Sequence, residues 1–205
     1  MRTILMGVAV CAGFVALRSD ASAATITLTS DPAVGVGQTT IVELVVDDLG
    51  AAAMAPSVGA YDITISFDAN LLGFVGVAFG DPVLGNQLDL SGLGSIHGDD
   101  PGVSGVDVFE VSLDLPGVLN SQQAAAFVLA RLTLIGLSEG TSALGVVVNA
   151  LSDADGLALP AVATSGSIDV VAVPEPAVLI YFATGAALFG LRRHHHNRTP
   201  RRRTS

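Results

Sequence analysis

The chain has 205 residues, of which half are hydrophobic and 14% are charged, a composition that excludes a wholly disordered protein. Between residues 24 and 173, seventeen Asp and Glu residues stand against one basic residue, Arg131. A surface this acidic repels nucleic acid and anionic lipid, so we predict no nucleic-acid partner. It either suits divalent cations or keeps an apolar chain soluble.

Residues 1–23 are predicted to be a secretory signal peptide. Arg2 supplies the positive start and residues 4–17 form an apolar run. Ala21 and Ala23 flank Ser22 as a small-x-small cleavage site, which places cleavage after Ala23. Fourteen apolar residues are short for a membrane span, which needs about 20, so the pattern favours a signal peptide over an uncleaved anchor.

Residues 24–172 are predicted to form one all-β domain. Residues 61–68 alternate apolar and polar side chains along the whole run, as does a strand with one buried face. Glycine and proline lie mostly between such runs, which is typical of a jelly-roll or Ig-like β-sandwich of about eight or nine strands. The predicted strands are 25–29, 42–46, 61–68, 72–79, 106–114, 126–137, 143–151 and 167–171.

Two segments of this domain carry weaker patterns. Residues 124–126 are three alanines with high helix propensity, but the alternation that follows through residue 134 favours a strand. Residues 86–105 are rich in Gly and Asp and show no alternation. We predict a long irregular loop there, either functional or mobile.

No catalytic set is evident, and we predict that the protein is not an enzyme. His97 is the one histidine between residues 24 and 173. A hydrolase of the serine or cysteine type needs a nucleophile, a base and an orienting acid close together. The sequence offers no such grouping around His97.

Two acidic groupings are candidate metal sites. Asp153 and Asp155 are alternate carboxylates followed by Gly156, which matches either the opening of a Ca²⁺ loop or a hairpin turn. The twelfth position counted from Asp153 is Thr164 rather than Glu, so an EF-hand is excluded. Asp99, Asp100 and Asp107 with His97 form the second grouping, which is either a hard-cation site or a set of solvated charges.

The early strands of the domain resemble those of cohesin-like domains. The resemblance is carried by residues 58–68, which end in Phe67-Asp68, and by residues 71–74 after them. Residues 38–48 resemble the strand that precedes them in that family, and residues 143–156 and 165–171 resemble its closing strands. The resemblance implies a nine-stranded jelly roll related to some carbohydrate-binding modules, and a domain that binds a protein or a polysaccharide.

Residues 173–205 resemble the PEP-CTERM sorting signal of Gram-negative bacteria. Pro174, Glu175 and Pro176 match its motif, residues 177–191 its apolar helix, and Arg192 and Arg193 the start of its basic end. The resemblance implies recognition by an exosortase, a membrane processing enzyme, and association with exopolysaccharide or biofilm matrix. The basic end is longer here than is usual in that family.

The physical properties of this tail support a single transmembrane helix. Fifteen apolar or small residues span ~22 Å as a helix, which is short for a hydrocarbon core of about 30 Å. Local thinning of the bilayer and snorkelling arginines can accommodate the difference. The arginines fix the tail on the cytoplasmic side, so the β domain lies outside the inner membrane. A plain C-terminal anchor is the alternative.

The sequence thus predicts an exported, exosortase-sorted surface or matrix protein. It is held transiently in the membrane by its C-terminal helix, and its cohesin-like domain binds a matrix protein or polysaccharide. One alternative is a structural component of the exopolysaccharide matrix that self-associates through sheet edges. Another is an accessory domain of polysaccharide degradation. Ca²⁺, at Asp153 and Asp155, is the one cofactor that the sequence suggests.

Overall fold

The computed structural model describes residues 23–49 and 56–173. The predicted signal peptide apart from Ala23, and the predicted sorting segment from Pro174 onward with its helix and Arg192-Arg193, lie outside the described residues. Ala23 directly precedes the first strand.

The described residues form two β-sheets and one short helix. The elements are β1 (Ala24–Ser30), β2 (Ala33–Gly35), β3 (Thr39–Asp47), β4 (Val58–Ser66), β5 (Leu72–Phe79), β6 (Ser95–Pro101), β7 (Gly105–Ser112), α1 (Pro116–Gln122), β8 (Phe127–Gly136), β9 (Gly140–Asp153), β10 (Ala161–Thr164) and β11 (Gly166–Val171). The five-stranded sheet has the order β10-β1-β3-β8-β5, and the six-stranded sheet the order β2-β11-β9-β4-β7-β6. The all-β sandwich predicted from the sequence is confirmed.

The two sheets are held together by one apolar core. Tyr61, Ile63 and Ile65 of β4 are buried and alternate with polar side chains that point outward. The facing sheet contributes a matching set from β1, β3 and β8: Ile26, Leu28, Val42, Leu44, Val46, Leu132 and Leu134. Among the described residues, the strand pairs and the core cluster lie between residues 24 and 171. A segment with a hydrophobic core of its own meets the physical requirement for a separate domain.

The prediction of eight or nine strands was too low, because the described part of the chain has eleven. The three unpredicted strands, β2, β6 and β10, all lie at sheet edges. β6 occupies the middle of the segment predicted to be an irregular loop. An edge strand has little apolar side-chain burial, so its sequence lacks the alternation on which the prediction relied. The choice of strand over helix for residues 126–137 was right, as β8 shows.

A buried carboxylate attaches β6 to the rest of the six-stranded sheet. Glu110 of β7 has no solvent exposure. Its Oε1 accepts hydrogen bonds from Asn86 Nδ2 at 2.6 Å and Ser95 Oγ at 2.5 Å, and its Oε2 accepts one from the Tyr61 hydroxyl at 3.2 Å. Burial raises the pKa of the Tyr61 phenol, and the Glu110 carboxylate raises it further, so this hydroxyl remains a donor. Glu110 thus joins β4, β6 and the loop before β6.

Helix α1 is fixed by a buried glutamine at its C-terminal end. Gln123 Oε1 accepts a hydrogen bond from the Val58 backbone N–H at 2.6 Å, and its Nε2 donates to the carbonyls of Val58 and Gln87. Pro116 stands at the first turn of α1, where its missing N–H costs nothing. The sequence analysis assigned no helix between the predicted strands 106–114 and 126–137, where the structure has α1.

Candidate binding face

The outer side of the six-stranded sheet presents a continuous surface across β6, β7, β4 and β9, which we call the binding face. Strand alternation and register assign its members. They are Ile96, Gly98 and Asp100 of β6, Asp107, Phe109 and Val111 of β7, Asp62 and Thr64 of β4, and Val147 and Asn149 of β9.

The centre of the binding face is apolar and exposed. Ile96 is 58% exposed and lies opposite Val111, and Phe109 and Val111 of β7 are also exposed. The exposed Val147 of β9 is separated from them by β4, where it lies opposite Thr64. Phe109 lies over Gly98, since a Cβ built on Gly98 would come within 2.9 Å of the Phe109 ring. The missing side chain at Gly98 therefore makes room for the ring to lie across β6.

A polar row runs beside this apolar centre. Asn149 Nδ2 donates to Asp62 Oδ1 at 3.0 Å and to Thr64 Oγ1 at 2.9 Å. The Thr64 hydroxyl in turn donates to the Asp107 carboxylate. These bonds fix the rotamers of four side chains before any partner arrives, which lowers the entropic cost of binding them.

An acidic depression of about 350 Å³ lies at one end of the row. It is lined by Thr64, Ser66, Asp100 and Asp107 together with the turn that joins β6 to β7. Asp100 and Asp107 are directly opposite in the register. Like charges at such positions repel each other, so a cation placed between them would relieve the repulsion. The one Lys or Arg of the described part, Arg131, lies on the other sheet.

The second acidic grouping predicted from the sequence is therefore divided by the structure. Asp100 and Asp107 share the binding face, whereas His97 and Asp99 alternate to the opposite side of β6. There the His97 ring stacks on Phe79, with 4.5 Å between the ring centroids. The grouping does not form one site.

His97 does not activate a nucleophile. Its Nδ1 lies 3.1 Å from Ser95 Oγ, but that hydroxyl donates its proton to the buried Glu110. The imidazole consequently has no serine proton to remove, as a general base would. The arrangement of Ser95, His97 and Glu110 is a structural hydrogen-bond network.

Asp153 and Asp155 lie in a tight turn at the end of β9. Asp153 Oδ1 accepts hydrogen bonds from the backbone N–H groups of Asp155 and Leu157, and Gly156 takes the positive φ of 80° that the turn requires. Within residues 23–49 and 56–173, no group of three or more His, Cys, Asp or Glu side chains is placed to hold a metal ion. The geometry is that of the hairpin-turn alternative.

We expect Ca²⁺ to leave the melting temperature of the domain unchanged. Asp153 Oδ1 already accepts two backbone hydrogen bonds, and among the described residues no group of three or more acidic, His or Cys side chains is placed to complete a cation site around it. A thermal melt of residues 24–173 in millimolar CaCl₂ and in EDTA checks this. A rise of several degrees with Ca²⁺ that is lost in an Asp153→Asn variant would contradict it.

Sequence reasoning did not identify the binding face. The alternation in β7 places Asp107, Phe109 and Val111 on one side, so their common orientation could have been found. Their proximity to Asn149 could not, because it depends on the pairing of β4 with β9, whose bonded residues lie 85 positions apart. Glu110 was also missed, although the same alternation puts it at a core position.

Neither a protein-family model nor a curated protein sequence matches the chain. Solved structures do match, and they show the fold. The non-cellulosomal cohesin of Archaeoglobus fulgidus is 17% identical, with a TM-score of 0.54 over 87% of this chain and 100% of its own. The cohesin module of a Clostridium perfringens family 33 glycoside hydrolase is 12% identical, with a TM-score of 0.57 over 74% of this chain and 98% of its own.

A type I cohesin–dockerin complex from Clostridium thermocellum also matches. It is 11% identical, with a TM-score of 0.57 over 73% of this chain and 100% of the solved one. The described part of the chain therefore has the cohesin fold, as the resemblance of its early strands implied. At these identities the likeness establishes the fold alone.

The described residues include no helix of the length and apolarity that crossing a membrane requires.

Proposed function

We propose that residues 24–172 form a non-catalytic docking module that binds a protein partner through the binding face. One observation carries the proposal: the same sheet face presents an exposed apolar centre and two carboxylates, Asp100 and Asp107, that no Lys or Arg of residues 23–49 and 56–173 neutralises. Exposed apolar patches with a polar rim mark interaction sites on soluble proteins.

The chemistry of the face defines the partner. The apolar side chains Ile96, Phe109 and Val111 would pack against an apolar surface of the partner. Asp100 and Asp107 would pair with a Lys or Arg side chain that enters the acidic depression. Charge pairing of this kind steers association and fixes the register of two proteins. A dockerin is the partner in two solved type I cohesin complexes from Clostridium thermocellum, so a dockerin-like module with a basic rim is the partner class we propose.

Polysaccharide is a weaker candidate for this face. Sugar rings stack on exposed aromatic side chains, and Phe109 is the sole aromatic residue that the described part of the binding face presents. An exposed apolar patch beside two carboxylates, Asp100 and Asp107, fits the surface of a protein better than it fits a sugar chain.

The test compares the binding of two classes of ligand to the domain of residues 24–173. The wild-type domain is immobilised and offered dockerin modules with basic rims, and separately the exopolysaccharide of an exporting host. We expect saturable protein binding that weakens as salt concentration rises, because the rim contacts are charged. Binding of the polysaccharide alone, released by free sugar, would refute the proposed partner class.

We further propose that this module is exported and delivered by its terminal segments. The support is the sequence of residues 1–23 and 173–205: a signal peptide, the motif Pro174-Glu175-Pro176, an apolar run and a basic end. In this proposal an exosortase-type enzyme removes the C-terminal helix and releases the domain to the cell surface or matrix of a Gram-negative bacterium.

Mass spectrometry of the mature protein tests this delivery. When the protein is produced in a bacterium with an exosortase, we expect an N-terminus at Ala24 and a C-terminus near Pro174–Pro176. A Glu175→Ala variant should keep the C-terminal segment. Intact residues 177–205 on the wild-type protein at steady state would contradict the processing step.

A further inference from the structure

The last strand of the domain is held on both of its sides. β11 pairs antiparallel with β9 and parallel with β2, where Val171 lies opposite Gly35. The Val36 backbone N–H donates a hydrogen bond of 3.0 Å to the Val171 carbonyl. The chain therefore remains paired with its neighbours up to Val171.

Val173 extends this attachment beyond the strand. A Cβ built on Gly35 would lie 2.6 Å from Val173 Cγ2, so the valine occupies space that only a glycine leaves free. The Gly35 carbonyl oxygen lies over Gly136, where a Cβ would come within 2.7 Å of that oxygen. We call Gly35 and Val36, with their contacts to Val171 and Val173, the C-terminal clamp. β2 has three residues, so this small contact can open locally while the core stays folded.

The sequence places no spacer between the clamp and the proposed processing motif. Pro174 follows Val173 directly, and the apolar run begins at Ala177, after Pro176. The four steps from Val173 to Ala177 span at most about 14 Å when fully extended. In the proposed precursor, whose apolar run lies in the bilayer, the clamp is thus held close to the membrane surface.

Cleavage near the motif requires the chain on its N-terminal side to enter the enzyme. Proteolysis of a folded substrate proceeds through a locally opened state, and its rate follows the population of that state when opening is fast. Here the residues that must open are 171–173, which the clamp holds. Val173 precedes a proline and is therefore biased towards an extended conformation, so its release from Gly35 frees an extended chain.

We propose that the C-terminal clamp gates the removal of the C-terminal helix. The processing enzyme takes the motif while residues 171–173 are released from β2, so the folded precursor stays anchored for longer than one with a free linker would. This gate presupposes the delivery proposed above, since it sets the rate of the same cleavage. Release of the short edge strand β2 leaves the other strand pairs intact, so the gate opens without unfolding of the domain.

Pulse-chase labelling of the full chain in a bacterium with an exosortase measures the rate of processing, and mass spectrometry confirms the cleavage position. Gly35→Ala should raise the rate at least about threefold, because its Cβ displaces Val173 while the motif is unchanged. A short Gly-Ser spacer between Val173 and Pro174 should raise it by at least as much. The matched control is Gly166→Ala, since Gly166 begins the same strand and a Cβ there would meet nothing within 4 Å. This control should be processed at the wild-type rate.

The effects of the two changes should not add. In the spacer variant the motif no longer adjoins the clamp, so Gly35→Ala should cause no further acceleration there. Melting curves of residues 24–173 check the folding of Gly35→Ala, and the spacer leaves that sequence intact. Equal rates of cleavage in the wild type, Gly35→Ala and the spacer variant would overturn the gate and leave the delivery standing. Precursor that persists uncleaved in every variant would refute the delivery, and the gate with it.

Discussion

Replacing Phe109 by Asp should weaken partner binding by at least about 30-fold, which corresponds to about 2 kcal/mol. The ring is exposed at the centre of the apolar patch, lies across Gly98, and is adjacent on β7 to the rim carboxylate Asp107. An aromatic residue at the centre of an interface contributes more than its neighbours do. The new carboxylate would also remain desolvated in the complex without a counter-ion.

Matched variants separate this effect from unfolding. Phe109 is partly exposed, so the variant should melt close to the wild-type temperature. Ile41→Asp is the control, since Ile41 is 49% exposed on the outer side of the five-stranded sheet. It should bind as the wild type does. Asp107→Asn should act differently, reducing the association rate and its salt dependence more than the dissociation rate. Equal losses in Phe109→Asp and Ile41→Asp would exclude the binding face.

Glu110→Ala should destabilise the domain by about 3–5 kcal/mol, or about 10 °C in melting temperature. The substitution removes the acceptor of the Tyr61 hydroxyl, Asn86 Nδ2 and Ser95 Oγ, and leaves a cavity in a fully buried position. A buried donor that loses its acceptor costs about 1–3 kcal/mol, and the partly buried Asn86 and Ser95 cost less than the buried Tyr61 because water can reach them. Tyr61 retains a second acceptor, the Leu129 carbonyl at 3.3 Å, which moderates its share.

Urea denaturation with a matched control measures this effect. Glu139→Ala removes an exposed glutamate of the same size and should change stability by less than about 0.5 kcal/mol. Glu110→Gln keeps the volume and one acceptor, so it should fall between the two. A loss below about 1 kcal/mol for Glu110→Ala would show that the network does not hold β6 to the sheet.

The strands that build the core could be predicted because each buries one face. In β4 the buried Tyr61, Ile63 and Ile65 alternate with polar neighbours, so local sequence alone predicts the strand. β6 gives no such pattern, since five of its seven residues are exposed and its pairing with β7 is made by backbone groups. Because β6 is held by backbone pairing and by the buried Glu110 of β7, its own sequence has no apolar alternation from which the strand could be predicted.

The binding face illustrates the same limit at longer range. The sequence shows Asp100 and Asp107 as two nearby acidic residues, and also shows His97 and Asp99 beside them. Only the strand register shows that Asp100 and Asp107 share one surface, while His97 and Asp99 lie on the other side of β6. The polar row requires a further pairing, of β4 with β9, that local sequence does not encode.

Hydrogen exchange of the domain with and without its partner tests the central claim most directly. Docking on the binding face should slow exchange of backbone amides in β6 and β7, beginning with Gly98, Asp107 and Phe109, and leave β1 and β3 of the other sheet unchanged. Protection confined to the five-stranded sheet, with β6 and β7 exchanging as in the free domain, would contradict the account.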